Sequence, residues 1–75
     1  MNTLADAIEV EVTTSGHIPA GFLFASFKNI GQTDVTVGGV TLPAGEAKGY
    51  PFVGKAYNDI EYEIQEGRLR ILQVL

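Results

Sequence analysis

Cysteine and tryptophan are absent from this 75-residue chain, histidine occurs once, and lysine and arginine together number five. Without cysteine no disulfide framework is available, and the usual zinc-finger spacings are excluded. Five basic residues against nine acidic ones leave a net charge of -4, whereas binding to a phosphate backbone needs clustered Lys and Arg. No nucleic-acid partner is expected. No apolar run approaches the roughly 18 residues that cross a bilayer. The opening Met1-Asn2-Thr3-Leu4-Ala5-Asp6-Ala7 has neither the positive region nor the long apolar core of a signal peptide. The expectation is an intracellular chain at synthesis, with no membrane partner.

What is present is apolar and turn-rich. Hydrophobic residues make up 45% of the chain, with nine glycines and three prolines, and the mean hydropathy is +0.14. A length of 75 residues predicts one domain, 1–75. So small a domain buries only about 60% of the surface its unfolded chain exposes. An apolar surplus with no covalent staple points to association, most simply as a homo-oligomer sharing an apolar patch.

The run Asn29 to Glu46 writes a hairpin with its two bounding turns. Gly38-Gly39 supplies the positive φ angles of a two-residue primed turn, which fixes the register. Val37 then faces Val40 and Val35 faces Leu42 on one face of the ribbon, with Thr36 and Thr41 on the other. Leu42-Pro43-Ala44-Gly45 predicts a β-turn that ends the ribbon, and Asn29 to Gly31 predicts the turn that enters it.

Elsewhere the period of two recurs. Ile8, Val10 and Val12 alternate with Glu9, Glu11 and Thr13, the pattern of a strand wet on one face. Ahead of it, residues 1–7 predict an arm that is flexible or ordered by assembly, with at most a helical turn over 3–7. Residues 14–21 carry loop signals. Phe22 to Ile30 predicts a central or interface strand, and 46–52, broken by Gly49 and Pro51, an edge or bulged one. Residues 53–58 predict a loop. A second hairpin is predicted around Glu66-Gly67, pairing Ile64 with Leu69, Tyr62 with Ile71 and Ile60 with Gln73. Its reverse face would join Glu63 to Arg70. Leu69, Leu72 and Leu75 also carry the spacing of a short helix over 68–75. The whole predicts an all-β fold, a small antiparallel β-sandwich or barrel of about six to seven short strands.

Little in the chain points to catalysis. His17 lies in a Gly-Pro loop with no identifiable nucleophile or orienting carboxylate. Glu9, Glu11, Glu61 and Glu63 fall on the polar phase of alternating strands, as a solvated face does. The glycines precede no helix bearing Lys and Ser or Thr, so they do not form a phosphate loop. No enzyme activity, cofactor or metal is expected. Tyr50, Phe52 and Tyr57 flank a loop-rich region and suit stacking on a sugar or a protein. With Phe22, Phe24, Leu72, Val74 and Leu75 they form the candidate interface.

The run Asn29-Ile30-Gly31, then Val35-Thr36-Val37-Gly38, then Leu42-Pro43-Ala44-Gly45-Glu46 resembles small β-rich structural proteins of phages and prophages. There an Asn-x-Gly turn, a Val-x-Val-x-Gly hairpin and a Pro-Gly-Glu turn lead into an aromatic strand. The resemblance covers about a quarter of the chain, and bacterial Ig-like modules look similar around the same turns. It implies a non-enzymatic virion protein, found in the virion or host cytoplasm. Such a protein decorates a capsid, forms a head-fibre base or joins tail parts, with other virion proteins as partners. A small glycan- or protein-binding β module is the alternative.

Overall fold

A computed structural model describes residues 6–75. Eight strands follow in order: β1 (Ala7–Val12), β2 (Gly16–Ile18), β3 (Phe24–Asn29), β4 (Val35–Val37), β5 (Val40–Leu42), β6 (Ala47–Tyr50), β7 (Ile60–Glu63) and β8 (Leu69–Val74). They form two four-stranded sheets, a long one ordered β1-β8-β3-β6 and a short one ordered β2-β7-β4-β5. Every pairing is antiparallel. The all-β expectation holds, as a sandwich of eight strands rather than six or seven. The extra strand is β2, which lies in the segment expected to be a loop. Most of the arm predicted over 1–7 and of its helical turn lies outside the described residues, and Ala7 already belongs to β1.

The core lies between the sheets. Phe27, Leu69 and Ile71 of the long sheet meet Ile18, Val35, Val37, Leu42 and Tyr62 of the short one, with Phe22 and Ile64 closing the ends. The Phe27 and Tyr62 rings stand 6.5 Å apart across the layers. Burying a side chain such as Phe27, which is 0% exposed, contributes about 2–3 kcal/mol.

The first hairpin has the predicted register, Val35 with Leu42, Thr36 with Thr41 and Val37 with Val40. Gly38 and Gly39 take φ of 55° and 82°, the pair of positive angles a type I′ turn requires. The following turn sits one residue later than predicted: Glu46 N donates to Pro43 O at 3.0 Å, and Gly45 has the φ of 85° that suits the third position of a type II turn.

The second hairpin does not form. β7 pairs with β2 and β4 in the short sheet, whereas β8 pairs with β1 and β3 in the long one. Residues 64–68 are therefore an arch that carries the chain from one layer to the other. A two-residue Glu66-Gly67 hairpin turn of type I′ needs a positive φ at Glu66, and among the described residues no non-glycine residue has one. The helix considered over 68–75 is absent as well, since Leu69–Val74 is β8. Ser15 holds the arch at its entry. Its Oγ accepts from Ile64 N at 2.8 Å and donates to Ile64 O at 3.2 Å.

At the opposite turn the link between layers is Asn29, wholly buried at the end of β3. Its Oδ1 accepts from Gly31 N at 3.0 Å, forming the predicted entry turn. Its Nδ2 donates to Thr33 O at 2.7 Å and to Leu42 O, on β5, at 2.9 Å.

Candidate functional site

The outer faces of the two sheets differ in chemistry, and the registers say how. Residues directly opposite in an antiparallel pair share a face. On the short sheet the outer face carries His17 opposite Glu61, then Glu63, Thr36 and Thr41 in one row. That face is polar throughout. His17 is exposed on a strand rather than in the expected loop. Among the described residues no three His, Asp or Glu side chains gather to hold a metal ion.

On the long sheet the outer rows run Ala7-Val74-Phe24, then Glu9-Leu72-Ser26-Gly49, then Glu11-Arg70-Lys28-Ala47. Charge fills the third row and reaches the second at Glu9. Arg70 lies 3.5 Å from Glu11 and 3.9 Å from Glu9, not beside Glu63 as the hairpin reading required. The other end presents Phe24, Leu72 and Val74, all partly exposed, beside alanine, serine and glycine. β8 thus presents apolar residues to both sides, Leu69 and Ile71 inward, Leu72 and Val74 outward.

Three of the eight candidate interface residues, Phe24, Leu72 and Val74, therefore share one surface. Leu75 is 48% exposed just beyond them, its N–H bonded to Asp6 O at 2.9 Å. Phe22 is corrected: it is 0% exposed and a core residue. It lost its place at the surface because the loop bearing Tyr57 folds over it, Tyr57 N donating to Phe22 O and Gly21 N to Tyr57 O, each at 2.9 Å. The rings of Phe22 and Tyr57 stack at 5.1 Å.

The aromatic trio divides in the same way. Tyr50 meets Phe27 and Tyr57 edge-on at 5.8 and 5.7 Å, with Lys48 Nζ 5.1 Å from its ring. Tyr57 Oη donates to Pro51 O at 2.6 Å. Burial and the neighbouring Tyr57 push the Tyr50 hydroxyl above its ordinary pKa. Phe52, 61% exposed, is the one ring of the three at the surface. Open depressions on the described surface include one lined by Thr33, Asp34, Gln65 and Glu66 and another by Glu9, Val10, Glu11 and Arg70.

Sequence reasoning missed the exposure of Ile8 and Val10. The six-residue strands of the long sheet outrun the three- and four-residue strands of the short one. On the inward phase of β1 only Val12 packs against the core, leaving Ile8 37% and Val10 44% exposed. No periodicity within β1 reveals how long its covering strands are.

Compared with known protein families, with curated proteins and with solved structures, the chain matches none.

Proposed function

We propose that this chain is a non-enzymatic structural protein that self-associates and attaches to a viral or prophage assembly, at a capsid or a tail. The observation that carries the reading is the asymmetry of the sandwich. One outer face is polar throughout, and the other is half apolar through Phe24, Leu72 and Val74. Water opposes exposed apolar residues in a cluster, and burial against a second copy relieves that cost. The viral side of the reading is supported by the resemblance of Asn29–Glu46 to small phage proteins. The aromatic platform of a glycan-binding module has less support, since Tyr50 and Tyr57 are engaged in packing within the chain.

Light scattering coupled to size-exclusion chromatography tests self-association. The expected result is an oligomer that Leu72→Lys together with Val74→Lys converts to folded monomer. A wild-type chain that stays monomeric at high concentration overturns it. Mass spectrometry of purified virus particles from the source cells tests attachment, and absence of the chain from such particles overturns that half.

A further inference from the structure

Each sheet has two edges, and three of the four are protected. β2 and β5 are three residues long, and β6 is a four-residue strand bearing Lys48 and Gly49. Shortness, lysine and glycine all discourage a further strand from pairing. β1 has six residues, Ala-Ile-Glu-Val-Glu-Val, with none of those devices, and among the described residues no strand lies along its outer side.

The backbone on that side can be assigned. Leu75 N donates to Asp6 O, and hydrogen-bonded pairs alternate along an antiparallel ladder. Ile8, Val10 and Val12 therefore direct their N–H and C=O groups at β8, and Ala7, Glu9 and Glu11 direct theirs away from it. Beside this open row stand two uncovered apolar side chains, Ile8 and Val10, on one face. On the other face stand the carboxylates of Glu9 and Glu11, which share the single guanidinium of Arg70.

We propose that this edge accepts a strand from another protein in which Lys or Arg alternates with apolar residues. Its backbone pairs with Ala7, Glu9 and Glu11, its basic side chains lie beside the two glutamates, and its apolar ones cover Ile8 and Val10. The chain supplies its own precedent on the inner side of β1, where β8 brings Leu69-Arg70-Ile71, apolar inward and Arg70 opposite Glu11, its guanidinium within reach of Glu9 as well. The two fullest registers for a second copy of β1 are disfavoured. An antiparallel pair centred on Glu9 sets Glu9 against Glu9, and one centred on Val10 sets Glu9 against Glu11 twice, so like charges oppose each other. The site adjoins the apolar outer face proposed for self-association, Glu9 lying opposite Leu72.

The test uses the full chain and two peptides, Gly-Lys-Val-Lys-Val-Lys-Val-Gly and its counterpart with Glu in place of Lys, followed by fluorescence anisotropy and amide hydrogen exchange. The basic peptide is expected to bind at least tenfold more tightly than the acidic one, to weaken with added salt, and to slow exchange at Ala7, Glu9 and Glu11. Glu9→Gln with Glu11→Gln should weaken binding about tenfold while the fold persists. Glu9→Pro removes an outward-facing donor as well as the carboxylate and leaves the ladder to β8 intact, so binding weaker in that folded variant than in Glu9→Gln isolates strand pairing. Equal binding of both peptides overturns the proposal, as does binding without protection of those three amides, or no binding of the basic peptide. Protection of the same amides in the peptide-free chain as concentration rises, which marks pairing between copies, overturns it too.

Discussion

Asn29 and Leu42, thirteen residues apart, are joined by a 2.9 Å hydrogen bond from the side-chain amide of one to the backbone carbonyl of the other. That bond ties the end of β3 in the long sheet to the end of β5 in the short one. Asn29→Ala would take the side-chain donor from the carbonyls of Thr33 and Leu42 and leave the N–H of Gly31 with only Arg68 O, at 3.2 Å. Losses of that kind cost about 3 kcal/mol together, a large share of the 5–15 kcal/mol that holds a typical domain. Asn29→Asp keeps the acceptor for Gly31 N and loses both donors, and it should be at least as damaging. The urea midpoint of each variant checks this.

The two glycines of the first hairpin are not equivalent. A Cβ on Gly39 meets nothing within 4 Å, whereas one on Gly38 would stand 2.6 Å from Tyr50 Oη. Both positions strain an alanine through their positive φ, so the difference isolates the collision. Gly38→Ala should destabilise by at least about 1 kcal/mol more than Gly39→Ala, within the range of overpacking. Tyr50→Phe removes the obstructing oxygen and should recover part of that difference in a double-mutant cycle.

Arg70 should couple to β1 and not to β7. Its partners Glu9 and Glu11 are about half exposed, so screening by solvent limits each interaction to a few tenths of a kcal/mol. A double-mutant cycle of Arg70→Ala with Glu11→Ala should give a small, salt-sensitive coupling. The cycle with Glu63→Ala should give none. Appreciable coupling to Glu63 would restore the hairpin that the sheet order denies.

Alkaline pH should weaken the fold through Tyr50. Its hydroxyl titrates above the ordinary tyrosine value because burial disfavours the phenolate and Tyr57 repels it. A group whose folded pKa is raised keeps its proton better in the native state. Its contribution is intact below the unfolded value of about 10 and is lost as pH rises through the folded one. Thermal melts across that range should fall more steeply for wild type than for Tyr50→Phe.

Local chemistry made part of this fold legible. Gly38-Gly39 dictates its turn, so Val35–Leu42 could be paired residue by residue from sequence. Gly49 and Pro51 marked β6 as an edge. The arch was not legible, because Tyr62, Ile64, Leu69 and Ile71 bury the same parity whether the chain turns back within one sheet or crosses to the other. Glu63 offered Arg70 a nearby partner, and nothing near it in sequence points to Glu9 or Glu11, about sixty residues away. The surface divides similarly. Leu72 and Val74 stood out as apolar groups beyond the regular pattern. Phe22 did not reveal that Tyr57 would cover it, and Ile8 and Val10 did not reveal how short their covering strands are.

The place of β8 between β1 and β3 has a consequence for synthesis. The strand that emerges last from the ribosome among these eight is an inner strand of its sheet, and the first has it as its only ladder partner. β1 must wait, unpaired along both sides, for β8, and β3 waits with only β6 for company. The short sheet needs no strand later than β7, so its pairings can form before β8 joins the long one. The long sheet closes afterwards, by contacts far apart in sequence that make closure slow and leave strand edges open to neighbouring chains meanwhile.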